Sequence, residues 1–394
     1  MQPEGDACKT ENMQLNPLTQ VPYERLRTRT SIKWRHYAPD VLPMWVAEMD
    51  VDLADPIREA LERAVRESDT GYPGSTPFVE SFVDFATARW AWSTLTAASV
   101  RPVSGVIPGY TDALLLAAGP GGTVVVTAPV YPPFYSYLRE AGLTVAEAPL
   151  TSSMRLDPET IDAALATATL EGAPGLAVLL CNPHNPGGTL HTHTELEGLA
   201  TIAAHHGATV VADEIHAPII YPEGEFVPYL AVDPTGMALH SASKAWNLAA
   251  MPSALLVFGT EATSHRDTFK AGAHHWPTHF GAIAQTAAYR DGGPWLDALM
   301  VGLDANRKLL GELLAQHLPT IDYRMPESTY LAWLDCSSLG LGEDPAAVFL
   351  ERGRVGLNSG PTFGAGGGGH VRLNFATRPD LLEEGVRRMA SAVG

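Results

Sequence analysis

Four short runs constrain this chain more than anything else in it: TVVVTAP (residues 123–129), GLAVLLCNP (175–183), ATVVADE (208–214) and MALHSASK (237–244). Each is apolar at successive positions, not at alternate ones. A strand with one wet face alternates, whereas a strand covered on both faces does not. Helical patterns such as TELEGLATIAAHHG (194–207) lie between the runs. The expected fold class is therefore α/β, with a mostly parallel central sheet and helices on both faces. The runs end in polar or special residues: Asn182 and Pro183, Asp213, then Ser241 to Lys244. Open α/β sheets bind ligands at the carboxyl ends of their strands, so these scattered residues are expected to meet in one pocket.

The flanking segments read differently. A helix is expected over 55–68, with Ile57, Leu61, Ala64 and Val65 on one face, followed by turn chemistry in GYPGSTP (71–77). After about residue 290 a long helical stretch (294–318) leads into strand-like STYLAWLD (328–335). A helix (345–354), a glycine-rich run (GAGGGGH, 364–370) expected to be a mobile loop, strand-like VRLNFA (371–376) and a last helix (379–392) follow. The expected division is an N-terminal arm and part of the small domain over 1–45, a large domain over 46–288 and a small α+β C-terminal domain over 289–394.

Composition narrows the function classes. Asp and Glu number 44 against 26 Lys and Arg, a balance that argues against broad binding to nucleic acid or anionic lipid. Three distant cysteines, Cys8, Cys181 and Cys336, make no disulfide framework. No apolar run reaches transmembrane length and the polar N-terminus is no secretory signal, so a cytoplasmic enzyme is expected. The histidine pairs lack ligand spacing with a supporting carboxylate, and no metal is expected. GAGGGGH lacks the strand-before, helix-after setting of a dinucleotide fingerprint.

Lys244 lies among small residues just beyond an apolar strand, where an ammonium is costly to desolvate. Four stretches share its part of the chain's logic: CNPHNPGG (181–188), ADEIH (212–216), SASK (241–244) and VRLN (371–374). In this order and spacing they resemble the fold type I pyridoxal-phosphate (PLP) enzymes of the aminotransferase class I/II superfamily, over nearly the whole chain. PMWVAEMD (43–50), Gly71-Tyr72, DEIH and STYLAWLD narrow the resemblance to the MalY/PatB group of cystathionine β-lyase-like C–S β-lyases.

The resemblance implies a role for each matching residue. Lys244 is expected to form a Schiff base with the cofactor aldehyde, then to move the Cα proton once substrate has displaced it. Asp213 is the expected partner of the pyridine nitrogen, Asn185 of the phenolic oxygen. His216 stands where many relatives carry Tyr, and its role stays open between that oxygen and core packing. Gly109 and Tyr110, in a turn expected to precede a helix over 112–119, are expected phosphate donors with Ser241 and Ser243. Tyr131 is the expected aromatic stacked on the ring. Tyr72 matches a tyrosine given across a subunit interface, implying a homodimer with shared active sites. Arg372 is the expected anchor of the substrate α-carboxylate, which a guanidinium grips through two parallel bonds.

Two departures stand out. Eight residues after Lys244, where many fold type I enzymes place a basic residue for the phosphate, this chain has Pro252. In AHHWPTHFGA (273–282), Thr278-His279 replaces the asparagine common before Phe-Gly, so His279 and His275 are candidates to shape the substrate pocket. The implied reaction is β-elimination from an S-substituted cysteine or cystathionine-like amino acid to a thiol, pyruvate and ammonia. The same cofactor chemistry leaves open an aminotransferase, or a decarboxylating oxidative enzyme on cysteine conjugates. A regulatory binding protein on this fold is the alternative of another class, disfavoured by the joint presence of Lys244, Asp213 and Arg372.

Overall fold

The computed structural model describes residues 16–74, 76–269 and 276–394. They fall into two compact units, one of residues 54–185 and 189–292, the other of the residues through 53, 186–188 and 293–394.

The larger unit is built on a seven-stranded sheet: β1 (Val100–Val103), β2 (Thr123–Ala128), β3 (Thr144–Pro149), β4 (Leu176–Cys181), β5 (Thr209–Asp213), β6 (Met237–His240) and β7 (Ala254–Phe258). The spatial order is β1-β7-β6-β5-β4-β2-β3. Five neighbouring strands, from β6 through β3, are mutually parallel, and only β7 runs against both its neighbours. Every residue of β2, β4, β6 and β7 is buried. The unbroken apolar runs are thus the signature of a sheet covered on both sides.

The covering helices in this unit are α1 (Asp55–Arg66), α2 (Thr76–Trp90), α3 (Val106–Ala118), α4 (Pro133–Glu140), α5 (Pro158–Leu170), α6 (His193–His205) and α7 (His279–Asp291). α6 starts on a capping box: Thr192 Oγ1 accepts from the Glu195 amide at 3.2 Å, and Glu195 Oε2 accepts from the Thr192 amide at 2.7 Å. α1 buries Ile57, Ala60 and Ala64. Val65, expected on its apolar face, is 64% exposed because it lies well round the helix from the Ile57–Ala60–Ala64 stripe.

The smaller unit pairs β8 (Asp322–Tyr323), β9 (Leu331–Asp335), β10 (Asn358–Ser359) and β11 (His370–Asn374) in the antiparallel order β10-β11-β9-β8. It also holds α8 (Gly293–His317), α9 (Pro345–Gly353) and α10 (Pro379–Val393). The glycine-rich run is pinned, contrary to the open loop expected: Gly369 N–H donates to Glu343 O, and Cys336 N–H to Gly369 O, both at 2.9 Å. Among the described residues no helix is long and apolar enough to cross a membrane.

Candidate active site

Three adjacent strands of the larger unit deliver half of the predicted residues. β4 ends at Cys181 and leads to Asn185, which is buried and whose amide donates to Cys181 Sγ at 3.4 Å. β5 ends on Asp213, with buried His216 three residues on. β6 ends at His240, and the turn that follows carries Ser241, Ser243 and a half-buried Lys244.

Asp213 is the electrostatic centre of this cluster. It is 4% exposed, and its Oδ1 accepts from the Ile215 amide at 3.2 Å. Burial pushes its carboxyl up to about 7, although the Ile215 amide and the nearby Lys244 ammonium pull it down. A carboxyl so placed favours a cationic or proton-sharing partner. Tyr110 has a buried hydroxyl with no hydrogen-bond partner among the described residues. Desolvation first, and then the field of Asp213, raise its pKa far above the usual phenol value.

The phosphate donors need correction. α3 begins at Val106, not near 112, and Gly109 N–H is already used within it, donating to Gly105 O at 3.0 Å. The N-terminal amides of that helix belong to Val106 and Ile107, since Pro108 has none. Gly109 instead lets α3 approach the sheet: a Cβ there would stand 2.6 Å from Leu239 Cδ1 and 2.9 Å from Val103 Cγ2. The Ser104-Gly105 pair joins β1 to α3, a short polar-glycine step that the sequence reading passed over; such a step can present free amides to an anion. Ser241 is also differently engaged. Its hydroxyl donates to Ser253 O at 2.8 Å and accepts from the Ser243 amide at 3.2 Å, so its single proton is spent. Ser243 is part-exposed in the same turn. Pro252 lies beside the start of α3, its Cβ 3.8 Å from where a Cβ on Gly105 would be.

The remaining predicted residues come from other elements. Tyr131, half-buried beyond β2, meets Phe134 edge-on with centroids 5.7 Å apart. Tyr72 is 88% exposed and contacts Trp276 edge-on at 5.9 Å. His279 opens α7, with Nε2 3.1 Å from Asp69 Oδ1, and lines a cavity of about 600 Å³ with Glu59, Arg63, Thr286 and Arg290. His275 falls outside the described residues. Arg372 belongs to the smaller unit, on β11. It is 4% exposed, donates through Nη2 to Asn358 Oδ1 at 2.6 Å and to Trp45 O at 3.3 Å, and lies 5.1 Å over the Phe363 ring.

Pyridoxal 5'-phosphate asks for an amine, a buried acid for its ring nitrogen and donors for its phosphate. The larger unit supplies Lys244, Asp213, the amides at the start of α3, Ser243, and in Tyr110 a buried hydroxyl that a ligand would satisfy. The residues fit the group.

A wide, mostly parallel sheet with these residues at its strand ends is the architecture of the fold type I PLP-dependent enzymes. The chain belongs to the aminotransferase class I and II family, whose model matches residues 40–389. It is 45% identical over 398 residues to a Mycobacterium leprae protein named "Putative cystathionine beta-lyase", covering 97% of this chain and 99% of that one. It is 34% identical to the cystathionine beta-lyase of Corynebacterium glutamicum, covering 94% and 98%. Among solved structures it is similar, at a TM-score of 0.86 and 28% identity over 95% of this chain and 98% of the other, to a Corynebacterium diphtheriae protein named "putative plp-dependent beta-cystathionase".

Proposed function

We propose that this chain is a PLP-dependent carbon–sulfur β-lyase that cleaves an S-substituted cysteine or a cystathionine-like amino acid. The observation that carries the reading is the buried carboxyl of Asp213 held within the field of the Lys244 amine at the carboxyl edge of the sheet. The 45% identity to a relative named for this activity supports the choice of β-elimination.

Pyridoxal 5'-phosphate, when bound, supplies the electron sink for a carbanion at the substrate Cα. Lys244 would hold the cofactor through its Nζ, and the same amine would take the substrate Cα proton. Asp213 would stabilise a proton on the heterocyclic nitrogen, because opposite charges in a buried site attract strongly. Asn185 and the Tyr110 hydroxyl would add hydrogen bonds, the start of α3 and Ser243 would hold the phosphate, and Tyr131 would pack against the ring. Arg372 binds the α-carboxylate, with Asn358 and Trp45 O fixing the plane of its guanidinium. Loss of the Cα proton and of the Cβ–S bond releases a thiolate, which is protonated, and one water then converts the remaining three-carbon fragment to pyruvate and ammonia.

The larger unit serves as the cofactor domain and the smaller as the carboxylate-binding domain, in a homodimer to which Tyr72 contributes across the interface. His279 shapes the substrate entrance. Cys181 and Cys336 are both buried, and reduced thiols suit the cytoplasmic home we infer. The test is product analysis from S-alkylcysteines, with thiol measured by disulfide exchange and pyruvate by coupled reduction. Equal amounts of both, abolished in Lys244→Ala, are expected. A requirement for a 2-oxo acid acceptor, with no thiol released, would replace the reading with transamination.

A further inference from the structure

One buried carboxylate in the larger unit is not accounted for by this chemistry. Glu214 follows Asp213 directly and is 0% exposed. Successive residues leaving a strand point to opposite faces, so Glu214 reaches behind the sheet edge while Asp213 faces the proposed site. Its Oε1 is hydrogen-bonded, while Oε2 has a close approach to a histidine nitrogen and no hydrogen bond among the described residues. Oε1 accepts from Asn182 Nδ2 at 3.2 Å, just beyond β4, and from the Tyr229 amide at 2.8 Å. Oε2 lies 3.0 Å from Nε2 of His240, the last residue of β6. The Glu214 amide donates to Leu239 O at 2.9 Å, and the Asn182 amide to Asp213 O at 3.0 Å. His240 is 1% exposed and is held among rings, with centroid distances of 4.8 Å to Phe82 and 5.6 Å to both Trp90 and Trp92.

We propose that Glu214 is a positioning residue: with Asn182 and His240 it ties the ends of β4, β5 and β6 together, and so fixes Asp213 and the Lys244 turn relative to each other. The inference rests on the cofactor reading of Lys244 and Asp213. Its physical ground is that a buried polar pair of this kind is a poor source of stability. Desolvating both groups offsets most of what their contact contributes, and an apolar set of similar volume would hold a core at least as well. What a multiply bonded buried carboxylate does provide is a single geometry, because any slip leaves a donor or the charge without a partner. Three strands are bound here by one side chain, and each of the three leads into a proposed cofactor residue: Asn185, Asp213 and Lys244. The positions that must agree to a fraction of an ångström are the ones so tied.

The test compares wild type, Glu214→Gln, Glu214→Ala and His240→Asn. The readouts are the equilibrium constant for pyridoxal 5'-phosphate by tryptophan quenching, the pH titration of the visible imine band, and the melting temperature of the cofactor-free proteins. Glu214→Ala is expected to weaken cofactor binding roughly tenfold or more and to move the band's titration midpoint. Glu214→Gln, which keeps an acceptor for Asn182 and the Tyr229 amide, is expected to restore most of the affinity. If Glu214→Ala does not fold, Glu214→Gln and His240→Asn decide the matter, each expected to shift the titration midpoint at an unchanged melting temperature. Wild-type affinity and an unmoved band in every folded variant would overturn the proposal, as would losses of affinity that only track melting temperature. A wild type that forms no imine band at all would instead remove the cofactor reading, and the positioning role with it.

Discussion

Asp213 shows how burial alone prepares a residue. Its carboxyl titrates at about 7 in the folded chain, against 3.8 as the ordinary value, and the first cause is desolvation. Between those two values the folded, cofactor-free chain holds a proton that the unfolded chain has released. Rising pH therefore removes stability across this window, and the loss is complete just above pH 7. Asp213→Asn carries no such titration. The stability difference in favour of Asp213→Asn is expected to grow from pH 4 to pH 7, by a total of order 4 kcal/mol, and then to level off. Urea midpoints of the two cofactor-free proteins across that range measure it, and parallel pH profiles would contradict it. A cationic ring nitrogen held by Asp213 would oppose the desolvation effect, so saturating cofactor is expected to flatten the wild-type profile.

At the scale of elements, the contact between α3 and the sheet is the tightest constraint near the proposed site. Gly109 sits where any Cβ would press on Leu239 and Val103. Leu239 immediately precedes His240, so pressure there is transmitted to the end of β6 and the turn bearing Lys244. Gly109→Ala is expected to destabilise the protein by about 1–3 kcal/mol, the usual range for overpacking a filled interior. Calorimetry of the cofactor-free protein would show a lower melting temperature, and an unchanged one would mean that the side-chain ends of Leu239 and Val103 yield freely. The capping box on α6 is a separate device, exposed and local, which fixes where that helix starts without touching the cofactor residues.

For the whole molecule, the larger unit exposes apolar residues that a finished surface would not favour: Tyr72 at 88%, Val65 at 64% and Trp276 at 44%. The proposed homodimer gives these residues an occupant. Light scattering is expected to return twice the chain mass of 42.1 kDa. Tyr72→Ala is expected to retain the dimer while raising KM or the cofactor equilibrium constant several-fold; a monomer with full activity would dismiss both expectations. The overall acidity, a formal charge of −18, is compatible with an enzyme that confines its cations to buried or paired positions such as Arg372 and Lys33.

Local chemistry was enough to read the parallel sheet, since unbroken apolar strands have one stable environment, and to single out Lys244 and Asp213 as candidates, since costly residues at strand ends ask for a reason; Asn185 and Arg372 were singled out by the family resemblance. The helix read over 194–207 runs from His193 to His205, its start set by the Thr192–Glu195 capping box. Close packing between distant segments decided the rest. Nothing near Gly109 in the chain says that Leu239 will lie against it, so a glycine needed for close approach read as a phosphate turn. Ser241 looked like a free hydroxyl until Ser253 and Gln285 were brought beside it. Glu214 drew no notice as one more acidic residue in DEIH, because its meaning lies in Asn182, Tyr229 and His240, which only the assembled sheet makes its neighbours. Period and propensity act over a few residues; the partners that satisfy a buried polar atom come from anywhere in the chain.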